Sequence, residues 1–102
     1  MEQGLTGLFG LIREMGYSRQ EFLRLLPTAL SRYDFAVTGD DVSIKLPQGE
    51  VRIRIGVERE RRFTALVSFP ILPVAIKFVG AQPAEQALFM QRFDLSYMKG
   101  LG

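Results

Sequence analysis

Cysteine and histidine are both absent from this sequence. Their absence removes thiol nucleophiles, disulfides, thiolate and imidazole metal sites, and the Ser-His-Asp arrangement. A bound metal would have to be held by carboxylates alone, which suits only hard cations such as magnesium or calcium. Alternately spaced calcium ligands closed by a glutamate do not occur around Asp40 and Asp41, even with Asp34 near, and Asp40 and Asp41 read as polar turn residues after Gly39. Glycine-rich phosphate loops are missing too. Glu85 and Asp94, nine positions apart with no further acid between them, make no acid–base pair. The expectation is therefore a protein that is not an enzyme and uses no cofactor.

Long apolar runs are also lacking. The longest, "FPILPVAIKFVG", is broken by Pro70, Pro73 and Lys77, and falls short of the roughly 20 residues a membrane helix needs. The start, "MEQGLTGLFG", has no basic region of a secretory signal. A cytoplasmic location is expected, and the missing cysteine suits a reducing compartment. A net charge of +2 argues against a strongly polyanionic partner.

What remains is an ordinary globular composition, 47% hydrophobic and 24% charged over 102 residues, sized for one domain spanning 1–102. Leu5, Leu8, Phe9, Ile12 and Met15 recur at helical spacing up to Gly16, although Gly4, Gly7 and Gly10 weaken a helix. Ser18 and Glu21 form a capping box for a second helix carrying Phe22, Leu26, Leu30 and Tyr33 on one face. Pro27 within it predicts a kink or two short helices. From Tyr33 the period becomes two, with strands over 33–37, 42–46, 51–58, 62–69 and 74–79. Turns are expected at "TGDD", "PQGE", the charged tip "RER" and the proline-bracketed "PILP". Pro83 opens a last helix, and Phe89, Phe93 and Tyr97 carry it on through "FDLSYM". The fold expected is α+β: two N-terminal helices, a four- or five-stranded antiparallel meander and a C-terminal helix, with the helices on one sheet face in two layers.

Pairing apolar residues across each turn sets the register, because a slip of one residue would expose the whole core face. It places Leu46 opposite Val51, Val57 opposite Phe63 and Val67 opposite Val74, with Phe63, Phe69 and Phe78 all turned inward. Lys45, Arg52, Arg54 and Lys77 then share the outward face, either as a solvated surface or as a basic platform for a nucleic-acid or ligand phosphate. The inward phenylalanines leave that platform without the aromatic residues on which single-strand binders stack bases. Ile71 and Leu72, held in an extended proline-bracketed loop, form a candidate apolar interface. The expected function is a small non-enzymatic binding or protein-interaction module, with a second copy of the chain among its partners. Nucleic-acid or phosphate-ligand binding through the basic face is the alternative, and a carboxylate- and arginine-dependent enzyme the second alternative.

Overall fold

The computed structural model describes residues 10–101. The chain runs β1 (Leu11–Met15), α1 (Arg19–Ala29), β2 (Asp34–Thr38), β3 (Asp41–Lys45), β4 (Glu50–Ile55), β5 (Arg59–Arg62), β6 (Ser68–Val79) and α2 (Pro83–Leu101). It is an α+β structure in which every strand pairing is antiparallel. The spatial order is β1-β6-β4-β3-β2, with β5 on β6.

Strand alternation divides the side chains between two faces. Val42, Ile44, Leu46, Val51, Ile53, Ile55, Leu72, Val74 and Ile76 point one way and are buried. On them lie Phe22, Leu26, Ala29 and Leu30 of α1 and its closing turn, and Phe89, Phe93 and Tyr97 of α2, in one continuous core. Phe93 stacks on Phe89 at 5.8 Å, and Phe22 lies parallel to Tyr97 at 5.0 Å. Both helices therefore cover the same sheet face.

The capping box is present: Ser18 Oγ accepts from the Glu21 N–H, and the Glu21 carboxylate accepts from the Ser18 N–H. Pro27 does not split α1. The helix ends two residues later, at Ala29, and the Leu30 N–H still bonds the Leu26 carbonyl.

Several expectations are overturned. The N-terminal helix is not found over 11–15, which form an edge strand beside β6; the rest of that segment lies outside the described residues. Apolar residues at 11 and 15 satisfy both periods, and the edge that β6 offers decides for the strand. Arg13 turns to the helix side and meets Asp94 of α2 at 3.0 Å. The β3–β4 register is displaced by two residues, Ile44 facing Val51 and Val42 facing Ile53, so the same residues stay inside.

The larger correction concerns residues 56–73. "RER" is no turn but the start of β5, and the chain reverses instead at Phe63–Val67, with the Phe63 N–H bonded to the Val67 carbonyl at 2.8 Å. "PILP" is no turn either, because Pro70 and Pro73 both lie within the twelve-residue β6. In a strand, the N–H and C=O of one residue point to the same side. The Pro73 carbonyl accepts from the Gly56 N–H, so its missing donor faces the break between β4 and β5. Pro70, three residues away, turns its nitrogen to the edge of β6 that β1 does not reach. Prolines are tolerated in strands at such edge and bulge positions.

Candidate partner-binding surface

Between the pairs Ile55–Val74 and Arg59–Ile71, three residues of the incoming strand, Gly56 to Glu58, face two of β6, Leu72 and Pro73. This is a β-bulge, a device that bends and re-aims a strand. Beyond it β5 and the start of β6 leave the main sheet as a two-stranded arm whose apex is Thr64–Leu66. Two contacts fix its base. The Glu58 carboxylate accepts from the Arg19 N–H at 2.8 Å, and Arg59 pairs with Glu14 of β1 at 2.6 Å.

The arm is where the exposed apolar residues gather. Leu66 is 95% exposed, Val57 84%, Phe63 73% and Phe69 50%. Phe63 and Phe69 were expected inside; they meet only edge to face on the arm, with centroids 5.9 Å apart. Of the three phenylalanines expected inward, Phe78 alone lies against the core. The cause is the bulge and the late reversal: with the turn at 63–67, these rings lie beyond the end of both helices' footprint on the sheet. From Phe63 to Phe69 the sequence "FTALVSF" has no charge, and immediately before it stand Arg61 and Arg62.

On the main sheet, the outward face forms rows across the strands. Asp34, Lys45 and Glu50 make one row; Ala36, Ser43, Arg52 and Lys77 the next; Thr38, Asp41, Arg54, Ala75 and Ile12 the third. The four expected basic residues do lie on one face. Lys45 has Asp34 and Glu50 as ladder neighbours, Arg52 pairs with Glu50 at 2.7 Å, and Arg54 pairs with Asp41 at 2.8 Å. Arg52 and Lys77 stand directly opposite as like charges, beside a shallow depression of about 390 Å³. Among the described residues no ion pair involves Lys77, and no element packs over this face.

The apolar pair Ile71 and Leu72 is separated by the structure. Leu72 is fully buried in the core and is removed from any interface, whereas Ile71 is half-buried at the root of the arm. Sequence reading missed Phe63, Leu66, Val67 and Phe69, although a seven-residue uncharged stretch after a charged one was visible. Asp40 is held by Arg19 at 2.9 Å, and among the described residues no three acids come together to hold a metal ion. Among those residues no helix is long and apolar enough to cross a membrane.

The chain matches no protein-family model, no curated protein and no solved structure.

Proposed function

We propose that this protein is a non-enzymatic interaction module that engages its partner through the β5–β6 arm. The observation that carries this reading is the arm itself. A two-stranded ribbon is at best marginal when isolated in water, and this one projects its largest apolar side chains into solvent. Exposed apolar clusters of this kind mark contact surfaces. The lack of histidine and cysteine, and the engagement of Asp40, Asp41, Glu14 and Glu50 with arginines, support a binding role over catalysis.

The phosphate-binding alternative through Lys45, Arg52, Arg54 and Lys77 is supported less. Both arginines already hold carboxylates on the same face, so a phosphate would have to displace Glu50 and Asp41 or accept their repulsion. Site-specific photo-crosslinking distinguishes the readings. A photoreactive residue at Leu66 should give adducts in cells that make the protein, and one at Ser43 should not. Adducts from Ser43 alone would transfer the function to the sheet face, and none from either would sink the proposal.

A further inference from the structure

We infer that the apex of the arm is built to insert into the interfacial region of an anionic lipid bilayer, a partner class that rests on reading the arm as the contact element. Three observations converge on it.

The first is charge order. At the base of the arm Glu58 accepts from the Arg19 N–H and Arg59 holds Glu14, so those charges are engaged within the molecule. Among the described residues no ion pair involves Glu60, Arg61 or Arg62, which leaves a net positive collar. Beyond the collar the apex has no charge at all. An uncharged tip followed by basic residues matches the order of acyl chain and anionic headgroup along a bilayer normal.

The second is depth. Leu66 lies three residues from Phe69, which faces Arg61 across the ladder. At strand rise that is at most about 10 Å, within the roughly 5–10 Å to which interfacial segments bury their apolar side.

The third is the backbone. Taking polar groups out of water is costly unless they are hydrogen-bonded. The apex bonds four of the five donors from Phe63 to Val67: the Phe63 and Thr64 N–H groups reach the Val67 carbonyl at 2.8 and 3.1 Å. Thr64 Oγ1 accepts from the Leu66 and Val67 N–H groups at 3.2 and 3.0 Å. A convex, self-bonded apolar apex needs no complementary pocket, which a protein partner would have to supply.

The test is flotation with vesicles of phosphatidylcholine alone and of phosphatidylcholine with phosphatidylserine. Wild-type protein should float with the anionic vesicles and more weakly with neutral ones, and added salt should narrow that difference. Leu66→Asp should weaken partition by roughly tenfold or more, the loss of one buried leucine. Arg61→Gln with Arg62→Gln should abolish the preference for anionic lipid, whereas Arg52→Gln with Arg54→Gln on the sheet face should not. Unchanged far-ultraviolet circular dichroism and melting temperature would show that each variant is folded. No flotation, or flotation that survives Leu66→Asp, overturns the inference. Crosslinks from Leu66 to protein, a second copy included, without flotation would overturn the lipid assignment and leave the interaction module standing. Absence of both would end the two together.

Discussion

Strand β6 passes through two environments, and its halves make a controlled comparison. From Leu72 to Val79 it pairs with β1 over 72–76 and with β4 over 74–79, and Leu72, Val74 and Ile76 are pressed under the helices. From Ser68 to Ile71 it has β5 alone for a neighbour. The two halves are similar in composition: each has a proline, a phenylalanine and aliphatic residues. Yet Leu72 is fully buried and Phe69, three residues earlier, is half exposed. Burial here is set by what lies across the sheet, not by the apolar content of the segment. The helices cover five strands of core and stop at the bulge. Past the bulge the strand continues, now with nothing to bury against, and a surface of different chemistry begins.

The sharpest test of that contrast is a truncation on each side. Ile76 lies between Leu11 and Ile53 in the ladder and is 1% exposed. Ile76→Ala should cost about 2–5 kcal/mol, the usual range for a buried aliphatic residue cut to alanine. In a domain of this size that lowers the melting temperature by at least about 10 °C. A drop of only a degree or two in calorimetry would show that the covered half is not packed as described. Somewhat smaller is the effect expected at the far end of β6. Gly49 has φ +85°, and a Cβ there would collide with the Val79 carbonyl oxygen. The obstacle is backbone, which cannot rotate away, so Gly49→Ala should destabilise by more than about 1 kcal/mol in urea denaturation.

The covered half also has a signature in pH. The Tyr97 hydroxyl donates to the Phe22 carbonyl at 2.8 Å, and its own carbonyl accepts from the Tyr17 hydroxyl. Burial, and secondarily the nearby Tyr17, pushes the Tyr97 hydroxyl well above the ordinary value of 10.0. Below pH 10 both folded and unfolded chains keep this proton, and stability does not depend on it. Above pH 10 the unfolded chain ionises while the folded one does not, so stability falls, by up to about 1.4 kcal/mol per pH unit for this group. Tyr97→Phe should cost about 1 kcal/mol at neutral pH through the lost hydrogen bond, and should flatten the alkaline decline. An equally steep decline in the variant would place the titrating group elsewhere.

How far the sequence could be read follows the same division. Where local signals and burial agree they are legible: the capping box at Ser18, the α2 stripe of Phe89, Phe93 and Tyr97, and the inward residues of β3 and β4. Even with the β3–β4 register displaced by two, alternation kept every face assignment there. Legibility failed where a residue's partner is remote. Leu11–Met15 is a strand because β6 offers it an edge, and no local pattern announces a neighbour more than fifty residues away. Prolines at 70 and 73 suggested a turn, since only the tertiary arrangement shows that their missing donors face an open edge and a bulge. The register drawn across those expected turns, which set Phe63 and Phe69 inward, then hid the arm. Of the candidate surface, the outward position of Lys45, Arg52, Arg54 and Lys77 was readable, and their carboxylate neighbours were not, because pairing with Asp41, Glu50 and Asp34 depends on the true register.

The smallest expected effect on stability is also the most diagnostic. Phe63 is 73% exposed, and its ring meets that of Phe69, itself on the arm. Exchanging both for serine removes two large apolar side chains from a protein of 102 residues, a change that in a core would unfold it. On the arm nothing buries them, so stability should change by no more than the few tenths of a kcal/mol typical of surface substitutions. At the same time the double variant should bind a hydrophobic fluorescent dye less and stay soluble at higher concentration, since the aromatic part of the arm's exposed apolar cluster is gone. A large fall in stability would mean that the rings are covered in solution, by a second copy or by part of the chain outside residues 10–101. Light scattering on the wild type separates those two. The comparison between the halves of β6 would then describe two buried surfaces, and the arm would be an interface already filled. Retained stability with reduced dye binding would leave it as a surface held ready for a partner, maintained against the ordinary disadvantage of exposing phenylalanine to water.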